Sequence, residues 1–174
     1  MSERVYNVLF LCTTNAARSI IAEAIIKQAG PGRFRGFSAG SRPIGSVNPL
    51  ALELLQRLNF PTQGLRSKSW DEFAAPDAPH MDFVITVCDQ AKGESCPEWP
   101  GSPITAHWGI PDPALAKGTS DQRMAEFRAA LQALERRIRI FASLRLELLD
   151  KMIIKRKVDE IGKLETDTSG NEKK

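Results

Sequence analysis

Val8-Leu9-Phe10-Leu11-Cys12-Thr13-Thr14-Asn15-Ala16-Ala17-Arg18-Ser19 reads as a buried strand, a short polar loop and the first turn of a helix. Val8 to Leu11 is an unbroken apolar run, the pattern of a strand covered on both faces. From Ile20 onward, Ile21, Ala24 and Ile25 recur at helical spacing until Gly30-Pro31 stops them. A loop entering a helix aims several backbone N–H groups at one point, so Thr13, Thr14, Asn15, Ala16 and Ala17 make a ready oxyanion cradle. Arg18 adds a planar fork that can hold two oxygens of a tetrahedral anion. A thiol at Cys12 facing those donors is expected to have a lowered pKa, and the thiolate is the form that attacks. Taken singly, Cys12 is a small buried hydrophobe and Arg18 a solvated side chain. The order strand, cysteine, loop, arginine, serine, helix favours a nucleophile in an oxyanion site.

The alternation continues downstream. Phe34 to Gly40 forms a second strand, and Pro43 and Gly45 mark the loop after it. Asn48 is a helix cap with Pro49 at the first helical position, and Ala51, Leu54, Leu55 and Leu58 form the buried stripe. Ser69 and Glu72 have capping-box spacing, which predicts a short helix from Trp70. Asp82 to Cys88 is the third strand, and Asp89 to Gly101 is a loop holding Gly93, Cys96, Pro97 and Pro100. Ile104 to Trp108 is a short fourth strand, followed by the loop Gly109-Ile110-Pro111-Asp112-Pro113. Asp121 to Phe141 is the clearest helix, with Met124, Phe127, Leu131, Leu134, Ile138 and Phe141 on one face. A further helix is expected from Arg145 to about Ile161, with an irregular apolar face that suggests packing along one edge of the domain or against a partner. Strands alternating with helices make the fold class α/β, an open four-stranded parallel sheet flanked by helices and joined by right-handed crossovers.

A chain of 174 residues suits one domain over residues 1–143, a C-terminal helix over 144–163 and a polar, disordered tail over 164–174. A net charge of +3 is too small to imply nucleic-acid binding. Seven basic and six acidic residues from Asp150 to Lys174 make Lys155-Arg156-Lys157 a solvated face rather than a lipid patch. Met1-Ser2-Glu3-Arg4 leads straight into the first strand, so no signal peptide is expected, and no apolar run reaches membrane-spanning length. Three cysteines, an odd number, argue for reduced thiols in a cytoplasm rather than a disulfide framework.

Expulsion of an oxygen from a tetrahedral oxyanion is easier if that oxygen is protonated. Asp112 is a candidate acid, because loops at the carboxyl ends of parallel strands converge on one crevice. Cys12, Cys88 and Asp112 all stand at or just past such ends. Alone, Asp112 reads as a turn residue between two prolines, Cys88 as core packing and Cys96 as an incidental surface thiol. A metal site is a weak reading of Cys88 and Cys96, whose spacing is not Cys-x-x-Cys, and the only histidines are His80 and His107. His107 reads as a packed residue beside Trp108. A relay in which one thiol attacks, a second resolves and a third resolves that one is the stronger reading.

Val8 to Ser19, Glu23, Ser38-Ala39-Gly40, Asn48-Pro49, Cys88, Cys96, His107-Trp108 and Asp112-Pro113 together resemble arsenate reductases of the low-molecular-weight protein tyrosine phosphatase type. The resemblance runs from about Tyr6 to Phe141 and implies a phosphotyrosine phosphatase I-like fold with a C-terminal helical extension. It implies that Cys12 is the nucleophile on arsenate, Arg18 its clamp, Ser19 a stabiliser of the thiolate, Asn15 a shaper of the loop and Asp112 the general acid. Cys88 would attack the Cys12 adduct and release arsenite, leaving a Cys12–Cys88 disulfide; Cys96 would then attack Cys88 and present a Cys88–Cys96 disulfide to thioredoxin. Phosphate and sulfate would compete as oxyanions, and no cofactor is implied.

Two loop positions depart from the family pattern. Thr14 stands where glycine is usual and Ala16 where serine is frequent, and a β-branched Thr14 disfavours positive φ, a source of distortion in the cradle. Some family members bind potassium near the loop; Asn15, Glu23 and Ser38 match that site, but its aspartate falls at Trp70, so no metal is expected. Two other functions compete. A phosphatase for phosphotyrosine or small phosphomonoesters would use Cys12, Arg18 and Asp112 alone, although such enzymes tend to carry tyrosines where Ala114-Leu115 stands. A non-catalytic binder of oxyanions or arsenicals is kept open by Thr14 and Ala16.

Overall fold

Val8, Leu9, Phe10 and Leu11 are all fully buried, because β1 (Tyr6–Cys12) lies inside a sheet covered on both faces. The computed structural model describes residues 4–88 and 99–164. In it β1 pairs with β2 (Phe34–Gly40) on one side and β3 (Phe83–Thr86) on the other, and β4 (Ile104–His107) pairs with β3, all in parallel. The strand order is β2-β1-β3-β4. Side chains alternate along β1 with period two. Val8 and Phe10 enter the larger core with α1 (Arg18–Ala29), α2 (Pro49–Arg57) and the long helix α4 (Ser120–Ser143). Leu9 and Leu11 enter a smaller one with Ala39, Met81, Val84 and Phe73 of α3 (Asp71–Ala74).

Local chemistry sets most helix ends. Asn48 Oδ1 accepts from Leu50 N at 2.9 Å, with Pro49 at the first helical position, as its sequence suggests. Such a cap contributes about 1 kcal/mol. Leu58, expected in the buried stripe, is instead the exposed C-cap of α2, and Phe60 turns inward beyond it. Ser69 and Glu72 do not form a capping box: Ser69 Oγ accepts from Asp71 N, while Glu72 pairs with Arg66 at 2.7 and 3.0 Å. α4 starts one residue before the expected Asp121, because Thr119 and Gln122 cap each other reciprocally. Met124, Phe127, Leu131, Leu134, Ile138 and Phe141 are all buried, each full burial being worth about 1.5–3 kcal/mol.

The helix expected from Arg145 begins only at Lys151, as α5 (Lys151–Ile161). Leu146–Leu148 forms a 3-10 turn, and Asp150 Oδ1 accepts from Ile153 N at 2.9 Å, making Asp150 the cap. The apolar face that looked irregular is then the regular stripe Ile154, Val158 and Ile161. α5 packs on β4, where Trp108 Nε1 donates to Val158 O at 2.9 Å. A Cβ at Gly162 would stand 2.3 Å from His107 O, so glycine is required by the closeness of that contact. No helix among the described residues is long and apolar enough to cross a membrane.

Candidate active site

Cys12 is the last residue of β1, opposite Gly40 of β2. A Cβ at Gly40 would lie 2.4 Å from Thr13 O and 2.8 Å from Cys12 O, so only glycine lets the loop fold down here. The carbonyls of Thr13, Thr14 and Ala16 accept from Arg42 N, Ile44 N and Asn48 N at 2.9, 3.3 and 2.9 Å. Each trans peptide sets the following N–H opposite its carbonyl. The N–H groups of Thr14, Asn15 and Ala17 therefore face away from the 42–48 segment. α1 starts from Ala17 with no capping side chain, an arrangement in which first-turn N–H groups can take an anion.

The one left-handed residue in the loop is Asn15, with φ 48°. Asparagine tolerates that region far better than a β-branched residue. Thr14 is not in it, so the stiffness that threatened the cradle is not engaged. Asn15 is fully buried; its Nδ2 donates to Ser19 Oγ at 2.8 Å and its Oδ1 accepts from Lys68 N at 2.9 Å. Ala16 and Ala17 are buried as well.

Arg18 reaches from α1 to the loop after β4. One terminal nitrogen donates to Ile110 O at 3.0 Å, and the other stands 3.4 Å from Asp112 Oδ2. Asp112 Oδ1 meanwhile accepts from Ala114 N at 2.9 Å, capping the 3-10 turn Pro113–Leu115. The turn role and the place beside Arg18 thus belong to the two oxygens of one carboxylate. Cys88 is buried two residues past β3, with Sγ 3.7 Å from Thr13 Oγ1, and its side chain meets that of Cys12. No disulfide joins them. Cys96, with Asp89, Gly93 and Pro97, lies outside the described residues.

The Cys12 thiol is pushed up from its ordinary pKa, not down. Its hydrogen bond with Cys88 is the largest cause and burial the next; Arg18 and the Thr13 N–H pull the other way without offsetting them. Two touching thiols share a proton, and the last one is hard to remove. The sequence expectation counted the donors around Cys12 and not the second thiol.

Behind the loop lies a polar cluster the sequence showed only in part. Glu23 of α1 accepts from Ser38 Oγ and Lys27 Nζ, both at 2.6 Å. Lys68 Nζ stands 3.8 Å from Glu23 Oε1, 3.5 Å from Ser38 Oγ and 2.7 Å from Arg66 O. Burial pushes the Lys68 ammonium down from its usual pKa, and Glu23 opposes that. A lysine between two serines carries no sequence signal for such a place, and neither Ile110 O nor the Thr13 hydroxyl was legible. His107 is half-buried, its Nδ1 at 2.6 Å from Thr86 Oγ1.

These residues do not fit a bound potassium ion. Glu23 already faces two ammonium groups, and Trp70 packs edge-on against Trp99 instead of supplying a carboxylate. A further cation about 4 Å from Lys68 Nζ would be repelled by about 4 kcal/mol at an effective dielectric near 20. Among the described residues no group of three or more His, Cys, Asp or Glu could hold a metal ion.

A cysteine–arginine loop at the carboxyl end of an interior parallel strand, with an aspartate from the loop after the edge strand β4, defines the class of low-molecular-weight phosphatase-like proteins. The sequence matches the low molecular weight phosphotyrosine protein phosphatase family over residues 7–155, and the chain belongs to that family. An arsenate reductase of Halalkalibacterium halodurans is 33% identical over 135 residues, covering 78% of this chain and 94% of that protein. An arsenate reductase solved in its phosphate-binding state superposes with a TM-score of 0.66 at 26% identity, over 80% of this chain and 98% of that one. A thioredoxin-dependent arsenate reductase of Corynebacterium glutamicum gives 0.53 at 25% identity, over 80% of this chain and 65% of that one.

Proposed function

We propose that this chain is an enzyme that reduces arsenate to arsenite, with Cys12 as nucleophile, Arg18 as anion clamp, Ser19 as support for the thiolate, Asp112 as proton donor and Cys88 as the second thiol. The observation that carries the reading is the contact of the Cys12 and Cys88 side chains beside Arg18 and Asp112. The Cys12 thiolate attacks arsenic(V), forming an S–As bond, while Asp112 protonates the departing oxygen, which leaves as water. Cys88 then attacks Cys12 sulfur as a thiolate. The S–S bond forms, the S–As bond breaks with its electron pair going to arsenic, and arsenite departs as arsenic(III). The two sulfurs are together oxidised by two electrons. Cys96 completes the relay by attacking Cys88, so that Cys12 returns as a thiolate and thioredoxin reduces the Cys88–Cys96 disulfide. The thioredoxin-dependent relative supports that donor, and an odd number of cysteines suits a cytoplasm. In this reading residues 1–143 carry the chemistry and 144–163 support them.

Phosphatase chemistry shares only the first step. It leaves Cys88 without a role, and Leu115 stands exposed after Asp112-Pro113 where such an enzyme tends to carry tyrosine. The deciding assay is arsenate-dependent NADPH consumption with thioredoxin and its reductase, run beside glutathione with glutaredoxin. Consumption with thioredoxin is expected. No consumption with either donor sinks the reductase reading, whereas activity with glutaredoxin alone overturns the donor. Asp112→Asn should lower the rate by about 10²–10⁴-fold.

A further inference from the structure

Glu23 is a carboxylate taken almost entirely out of water, its side chain 5% exposed, and so is the Lys68 ammonium, at 6%. A buried charge needs a partner, and leaving one unpaired is costly. Lys27 meets Glu23 from the half-exposed side, while Lys68 meets it from inside, where Ser38 Oγ and Arg66 O complete the ammonium's surroundings. Lys68 is tied to the anion loop through its own backbone. Its N–H donates to Asn15 Oδ1 at 2.9 Å, and its carbonyl accepts from Gly40 N at 3.0 Å. Asn15 is the left-handed residue that turns the cradle, and its other side-chain atom holds Ser19 Oγ. One residue therefore joins a buried ion pair to the pivot of the loop.

We propose that Lys68 is a positioning residue, a built-in cation whose ammonium, bonded to Arg66 O and facing Glu23 and Ser38, fixes the 66–69 segment and through Asn15 the oxyanion loop. A tethered ammonium does the work of a bound monovalent cation without depending on its concentration. The oxyanion affinity of the intact protein is then indifferent to which monovalent cation the solution supplies. This rests on the reading of the loop as an oxyanion site.

The test measures the Kd of inorganic phosphate by calorimetry in KCl, NaCl and choline chloride at one ionic strength, with thermal unfolding recorded for each sample. The wild type should bind phosphate with the same Kd in all three salts. Lys68→Ala should bind at least tenfold more weakly and regain affinity saturably with added ammonium, methylammonium or potassium, because a small cation can enter the vacated space. Lys68→Met, which fills that space without charge, should be weak and unresponsive. Glu23→Gln combined with Lys68→Met removes both charges and should bind better than Lys68→Met alone. That pair also decides the matter if Lys68→Ala does not fold. A wild-type Kd that tightens with potassium alone overturns the proposal. So does wild-type affinity in Lys68→Ala, a Lys68→Ala defect that no cation relieves, or a double variant no better than Lys68→Met. Failure of the wild type to bind phosphate in any salt would instead strike the oxyanion site itself.

Discussion

The loop between β1 and α1 has two sides, built on opposite principles. In front stand Cys12, Cys88, Arg18 and Asp112, drawn from three strand ends and from α1, with long contacts of 3.4 Å from Arg18 to Asp112 and 3.7 Å from Thr13 to Cys88. Behind stand Asn15, Ser19, Glu23, Ser38 and Lys68, all buried, with contacts of 2.6–2.9 Å around Asn15 and Glu23 and longer ones of 3.5 and 3.8 Å from the Lys68 ammonium to Ser38 and Glu23. In the proposed reaction the front groups exchange partners, whereas the back groups keep the loop in its left-handed turn. Substitutions on the two sides should therefore fail differently, in chemistry in front and in shape behind.

The largest expected effect is that of Cys12→Ser, which should lower both arsenate reduction and any phosphate-ester hydrolysis by roughly 10⁴-fold or more, because both begin at that sulfur. Initial rates with each substrate, set beside an unchanged melting temperature, check this. If one activity survives, the front does not work through a shared nucleophile.

Cys88→Ala divides the front. Catalytic arsenate turnover should disappear while slow ester hydrolysis remains. The same change removes the largest cause that raises the Cys12 pKa, so the Cys12 thiolate should form at lower pH than in the wild type. Ultraviolet thiolate absorbance followed against pH measures it, and a titration that stays put or moves upward would show that burial, not the second thiol, holds the proton.

Asn15→Ala strikes the back. It leaves Lys68 N without its acceptor and puts a less tolerant residue at φ 48°, for a combined loss of about 2–4 kcal/mol. Denaturant unfolding should register it as a lower midpoint. Stability within a few tenths of the wild type would mean that the back does not hold the loop.

The smallest effect is expected at the rim of the back, where Glu72 pairs with Arg66 just before Lys68. The Arg66 guanidinium holds the Glu72 carboxyl below its usual pKa. A depressed folded-state pKa gives stability that is present above the unfolded value and lost as pH falls through the folded one. The pair is largely exposed, so solvent screening limits it to about 0.2–1 kcal/mol. Glu72→Gln should accordingly cost that much at pH 7 and progressively less as pH falls below the ordinary carboxylate range in matched thermal melts; a cost that does not change with pH would point to packing.

The front was more legible from sequence than the back, for a physical reason. Cys12, Arg18 and the strand–loop–helix order lie within one local stretch, and Asn48-Pro49 announces its own helix. The back is assembled from α1, β2 and the segment before α3, so Lys68 acquires its meaning from Glu23 and Ser38 on other elements. The Cys12 pKa failed as an expectation for the same reason, since Cys88 reaches it across the sheet. Leu58 and Glu72 were misread at helix ends, where a cap or an ion pair overrides the spacing pattern.

The placement of α5 has a consequence for how molecules of this protein meet one another. Ile104 and Trp108 send their N–H groups to β3, so the intervening Thr105 and His107 turn their backbone groups outward, along the rim of the sheet. Lys155 Nζ donates to Thr105 O, and Gly162 sits against His107 O. An open row of strand amides and carbonyls is a template for any extended chain that passes. A protein ending before Lys151 is expected to self-associate as its concentration rises, visible by light scattering, while its freshly diluted monomer keeps the chemistry of Cys12. In that sense the last helix guards the molecule against its own copies.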